Sequence, residues 1–113
     1  ETDPLGNSFG AGGLFLTLSE LHKFGLFYLN KGSWNGKQIL SEKWIEESTS
    51  ASDTDDYGYL FWRGEHNSFR ADGKYSQITM VLPEKNAVVS LVAECRKGEE
   101  LMRALYDLVC AKI

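Results

Sequence analysis

Two short runs rich in β-branched residues, separated by a tight turn, constrain this chain more than any other feature. Ser76–Leu82 (SQITMVL) and Ala87–Ala93 (AVVSLVA) alternate in part and are short enough to be strands and not helices. Pro83-Glu84-Lys85-Asn86 joins them. Proline presets φ at the second position of a turn and asparagine tolerates a left-handed exit, so the two runs pair antiparallel. Just upstream, Ala71-Asp72-Gly73-Lys74 breaks the pattern with a glycine where two strands must connect. The rest of the chain has to pack around this core.

The flanks supply strands and helices. Tyr57–Arg63 (YGYLFWR) reads as an aromatic strand, and residues 64–67 turn it into the central stretch. Thr17-Leu18-Ser19-Glu20 has the form of a capping box, a hydroxyl followed three residues later by a carboxylate. Behind it Leu21, Phe24, Tyr28 and Leu29 share one helical face, and Gly32 suits the left-handed C′ position, so a helix is predicted over 18–30. Asn35-Gly36 marks a two-residue hairpin turn, and Ser41 caps a second helix from Glu42 to about Ser48. Leu101, Met102, Leu105, Leu108 and Val109 form an apolar stripe on a helix predicted over 98–112, whose face must cover a sheet. The expected architecture is α+β: a four-stranded antiparallel meander sheet packed by a C-terminal helix and preceded by two helices. At 113 residues this is one domain at most, with 1–56 as a helical and loop layer and 57–113 as sheet plus helix.

Charge and motif content exclude several functions. The net charge of −4 and the lack of a basic stripe argue against nucleic acid. No apolar run approaches the length of a membrane span. Gly6, Gly10, Gly12 and Gly13 do not spell a dinucleotide fingerprint, and no phosphate-loop lysine follows them. Without HExxH or paired CxxC, neither zinc nor any other cofactor is expected. Cys95 and Cys110 are too few for a disulfide scaffold. With Cys95 ending a strand and Cys110 late in a helix, roughly 18 Å of helix rise would separate them, so both read as free thiols. Asp53, Asp55 and Asp56 read as a solvated loop in preference to a weak site for a hard cation.

Gly6-Asn7-Ser8-Phe9-Gly10 matches G-x-S-x-G, with Asp53 and His66 following in hydrolase order. That motif needs a strand before the serine and a helix after it. Here a proline precedes and a glycine-rich loop follows, so a flexible loop is the better reading. His22, on the more polar side of its helix, and His66, in a turn beside Glu65, both read as surface histidines. Trp34, Trp44, Tyr57, Tyr59, Phe61 and Trp62 read as core, with some free to line a pocket.

Several segments in order carry a family likeness. They are Gly12-Gly13-Leu14-Phe15-Leu16-Thr17, then Leu21-x-Lys23-Phe24-Gly25-x-x-Tyr28-Leu29-Asn30-x-Gly32, then Trp34-Asn35-Gly36-Lys37-Gln38-Ile39-Leu40-Ser41-x-x-Trp44-Ile45. With Tyr57-Gly58-Tyr59 and Pro83-Glu84-Lys85, the chain resembles the C-terminal part of the serine hydrolases of the β-lactamase and penicillin-binding-protein superfamily, closest to the class C-like esterase and amidohydrolase branch.

The resemblance implies a partial β-lactamase-like, transpeptidase-like fold from a longer, bacterial parent that acts on an amide, ester or β-lactam. The family nucleophile sits on Ser-x-x-Lys, and no serine here has lysine three residues on. Tyr28-Leu29-Asn30 fits the letters of the family's Tyr-x-Asn, but Tyr28 belongs to the apolar helix face and is structural. The third motif, Lys-Thr-Gly or His-x-Gly, falls on Ala71-Asp72-Gly73, its first position having lost the lysine or histidine. Lys74 would then give its backbone N–H to an oxyanion hole whose other donor is missing with the serine, so the chain alone is expected to be inactive. A plain hairpin turn or bulge explains Asp72-Gly73 equally well. The family's N-terminal strands would pair with 87–93. An exposed edge there predicts homo-oligomers. A small-molecule or peptide substrate would bind the parent, and the free thiols favour a cytoplasmic location over the cell envelope.

Overall fold

The computed structural model describes residues 2–8, 12–52 and 56–113. Its elements in chain order are α1 (Leu18–Leu29), β1 (Ser33–Trp34), β2 (Lys37–Gln38), α2 (Glu42–Thr49), β3 (Trp62–Arg63), β4 (Phe69–Gly73), β5 (Gln77–Leu82), β6 (Ala87–Val92) and α3 (Gly98–Leu108). The expected α+β class holds: three helices and a four-stranded antiparallel sheet in the order β3-β4-β5-β6.

Local signals set most boundaries. Glu20 N–H donates to Thr17 Oγ1 at 3.3 Å while Thr17 N–H donates to Glu20 Oε2 at 2.8 Å, closing the capping box. At the other end of α1, Lys31 N–H bonds Tyr28 O and Gly32 N–H bonds Phe27 O, the paired bonds of a Schellman cap. Lys31 (φ 50°) therefore holds C′, and Gly32 (φ 81°) lies one residue beyond its expected place. Only glycine fits there, because a Cβ would strike the Leu40 carbonyl oxygen. Asn35 (φ 49°) and Gly36 (φ 74°) make the mirror-image turn that joins β1 to β2, and Trp44 N–H caps on Ser41 Oγ at 3.1 Å. Pro83–Lys85 form one 3-10 turn that Asn86 exits in the left-handed region (φ 48°, ψ 46°).

The sheet is sandwiched. Phe69, Ala71, Thr79, Val81, Val88 and Ser90 face α1, while Ile78, Met80, Leu82, Val89 and Leu91 face α3. The two faces follow from the period-2 alternation of the strands. Ile78, Met80, Val81 and Leu82 are at most 2% exposed, and burying each stabilises the fold by about 1.5–3 kcal/mol. Gly25 lets α1 approach closely, since a Cβ there would fall on Thr79 Oγ1 and Val88 Cγ1.

Four sequence expectations need correction. Of the six aromatics read as core, only Phe61 is buried, and Trp44, Tyr59 and Trp62 are exposed. Tyr57–Arg63 is not a continuous strand: Leu60 is left-handed (φ 68°) and Gly58 N–H bonds back to Phe61 O at 2.9 Å. The reversal packs Gly58 against the Ser50 carbonyl and leaves only Trp62–Arg63 paired with β4. The C-terminal helix stops at Leu108, and a 3-10 turn over Cys110–Lys112 follows. That change of geometry turns Leu108 outward (62% exposed) and buries Cys110 against Met80, Sγ to Sδ 3.9 Å. His22 is half-buried, its Nδ1 3.0 Å from Ser90 Oγ, which is itself 2.9 Å from Thr79 Oγ1. Its side chain reaches the sheet under α1 because Gly25, one turn on, brings the helix close. Cys95 and Cys110 are free thiols.

Candidate functional site

The shortness of β3 creates the site. Trp62 and Arg63 oppose Arg70 and Phe69, so among the described residues no strand continues beside Ala71–Gly73 on that side. Gly64 N–H donates to Ser68 O at 3.0 Å, so the backbone groups of 68, 70 and 72 point toward β3 and those of 69, 71 and 73 toward β5. Asp72 therefore turns its backbone N–H and C=O to an unfilled flank. An extended chain segment laid there would find one donor and one acceptor ready.

The turn after β4 frames this flank. Ser76 N–H closes it on Gly73 O at 3.2 Å, with Tyr75 (φ 64°) and Ser76 (φ 71°) both left-handed. Such backbone costs of order 1–3 kcal/mol per residue and persists only when its surroundings hold it. Cys95 N–H donates to Tyr75 O at 3.0 Å and Ser76 Oγ donates to Cys95 O at 3.4 Å, tying the turn to the exit of β6. Lys74 Nζ lies 4.9 Å from the Tyr75 ring centre and the Arg96 guanidinium 5.5 Å. On the sheet face, Arg70 Nε pairs with Asp72 Oδ2 at 3.1 Å and its guanidinium lies 5.9 Å from the Trp62 ring centre.

The four residues matched to the third motif thus divide. Ala71 packs into the cluster of Phe61, Phe69 and Val81 beneath α1. Asp72 borders the flank, Gly73 ends β4, and Lys74 begins the turn. A Cβ at Gly73 would come within 3.2 Å of Gln77 Cβ, a tight fit on the β5 side.

The remaining candidates do not converge there. Ser8 is exposed in a loop braced by Asp3, whose Oδ1 accepts from Asn7 N–H at 2.8 Å, and α1 begins only at Leu18. The Asn7 contacts hold the Asp3 carboxyl below its ordinary range. His66 is exposed, its ring 6.2 Å from that of Tyr106. Asp53 and Asp55 lie outside the described residues, and Asp56 is exposed. Tyr28 packs on Phe61 and Phe69, and burial pushes its hydroxyl pKa up against the opposing hydrogen bond to Ser48. Among the described residues no group of three or more His, Cys, Asp or Glu could hold a metal ion, and no helix is long and apolar enough to cross a membrane. Sequence reasoning missed the His22–Ser90–Thr79 chain, for which the three-residue spacing from His22 to Gly25 on the inner face was the available signal.

No protein-family model and no curated protein matches the chain. Among solved structures it is similar to the "Putative 6-aminohexanoate-dimer hydrolase from Bacillus anthracis", with a TM-score of 0.66 and 22% identity over 80% of this chain. The match covers 27% of that structure, so this chain spans about a quarter of its length. The likeness shows the architecture: a partial β-lactamase-like fold.

Proposed function

We propose that this chain contributes the third-motif strand to the acyl-transfer site of a β-lactamase-like serine hydrolase. The observation that carries the reading is the open flank of β4 at Asp72–Lys74, on a fold shared with a protein named as a hydrolase of an aminohexanoate dimer. In this reading a serine outside these residues attacks the carbonyl carbon of an amide, ester or β-lactam. The amide is the class that the neighbour's name supports. Gly73 lets the substrate backbone come close, and the Lys74 N–H stabilises the oxyanion beside the N–H of the serine. Loss of one such donor costs roughly 100- to 1000-fold in rate. The C–N or C–O bond then breaks, the leaving group takes the serine's proton, and water hydrolyses the acyl-enzyme.

Since no serine here carries lysine three residues on, the chain by itself is expected to form no acyl adduct. Incubation with a fluorophosphonate or a fluorescent penicillin, read by intact mass, tests this. No adduct is the expected result. A stoichiometric adduct abolished by Ser8→Ala would replace this reading with an independent hydrolase.

A second reading rests on β6, the other edge of the sheet, where Val92 is 49% exposed. An apolar edge templates pairing, so the fold could serve as a non-catalytic, self-associating module. Sedimentation across a concentration series checks it: self-association weakened by Val92→Lys supports the module, and a monomer throughout removes it.

A further inference from the structure

At the opposite end of β4 from Gly73, roughly 13 Å along the strand, the end of α1, α2 and the start of β4 border an open cleft of about 540 Å³. That volume lies within the range of about 300–1,000 Å³ typical of small-molecule sites. Tyr28, Ile45, Phe69 and Pro83 give it apolar walls, and Arg63 and Asn67 border it as polar groups. Arg63 is half-buried. One guanidinium nitrogen donates to Thr49 O at 3.3 Å and another to Asn67 Oδ1, and among the described residues no carboxylate lies within ion-pairing distance. A guanidinium has five N–H groups, so donors remain unspent. A half-buried cation without an anion is costly, and the planar fork matches a carboxylate in particular.

The backbone adds an independent sign. His66 (φ 55°) and Asn67 (φ 54°) are successive left-handed residues, and this strain carries Asn67 to Arg63. Strained backbone of this kind collects at ligand clamps. The exposed Glu46 and Lys31 also line the hollow and offset each other, so Arg63 leaves it a net single positive charge, matched to a monoanion.

We infer that this hollow binds a small organic monocarboxylate, its apolar body against Tyr28, Ile45, Phe69 and Pro83 and its carboxylate on Arg63. The site is separate from the flank of β4 and does not depend on the hydrolase reading.

An amide NMR titration of the intact chain with phenylacetate, and with neutral phenylacetamide of the same shape, tests it. Saturable shifts at Arg63, Asn67, Phe69 and Ala51 are expected, with phenylacetate the tighter ligand by about tenfold or more, as a charge-assisted bidentate contact predicts. Arg63→Gln should remove the preference. Should that variant fail to fold, Ala51→Phe fills the hollow from an exposed position and should abolish shifts from both ligands. Equal affinity for the two probes, shifts confined to the Lys74–Arg96 turn, or no saturable shift would each overturn the inference.

Discussion

Gly32 and Gly36 have nearly the same backbone conformation, φ 81° and 74°, in very different surroundings. A Cβ on Gly36 meets nothing within 4 Å, whereas one on Gly32 overlaps the Leu40 carbonyl oxygen. Replacing Gly36 with alanine therefore charges only the left-handed conformation, about 1–2 kcal/mol. Gly32→Ala adds the displacement of Leu40. That displacement disturbs the bonds from Ile39 and Leu40 N–H to Gly32 O, 2.9 and 3.2 Å long. Overpacking costs about 1–3 kcal/mol and each weakened bond about 0.5–1.5 kcal/mol. Gly32→Ala should thus destabilise by at least about 3 kcal/mol, about 2 or more beyond Gly36→Ala. Urea denaturation of both variants beside the parent chain reads the difference directly. Equal losses would show that the hairpin relaxes away from the new methyl group, refuting the claim that Leu40 fixes this glycine.

Other perturbations probe the remaining links. Thr17→Ala removes the N-cap of α1 and should cost about 1 kcal/mol in the same denaturation assay. The Thr17 N–H, then its hydroxyl, hold the Glu20 carboxyl below the ordinary glutamate range. A depressed pKa gives stability that is present above the unfolded value, about 4.3, and is lost as pH falls through the folded value. Thr17→Ala keeps the backbone N–H and removes only the hydroxyl donor, so it should flatten the stability profile below that pH in part, and an unchanged profile would refute the hydroxyl's share of the coupling. Met80→Ala empties a fully buried site facing α3 and should cost about 2–5 kcal/mol by thermal or urea unfolding. A loss below 1 kcal/mol would mean that α3 collapses into the space.

Much of the fold was legible because local chemistry and tertiary structure agree. The capping box, the Asn35-Gly36 turn and the β5–β6 hairpin each rest on residues within a few positions of one another, and each formed as read. What escaped depends on distant partners. Nothing in YGYLFWR announces that Gly58 will pack against the Ser50 carbonyl and that Leu60 will adopt a left-handed backbone. That error concealed the flank, because a full aromatic strand beside β4 would have covered Asp72. The left-handed pair Tyr75-Ser76 escaped for a related reason, since neither residue advertises that conformation, whereas His66 and Asn67 belong to the types that adopt it most readily. The stripe on α3 was read one turn too far because a helical repeat cannot foresee a 3-10 turn at Cys110.

The packing of α1 against the sheet also orders the folding reaction. The meander β4-β5-β6 is built from neighbouring hairpins, so its loops close at little entropic cost. The hydrogen bond from His22 to Ser90 instead joins residues 68 positions apart. The sheet can therefore nucleate first, with α1 settling onto Thr79 and Val88 only after the transition state. Substitutions at Gly25 or Ser90 would then leave the refolding rate almost unchanged and speed unfolding. In such a chain the inner face of α1 governs how long the native state lasts, while the β5–β6 hairpin governs how quickly it is reached.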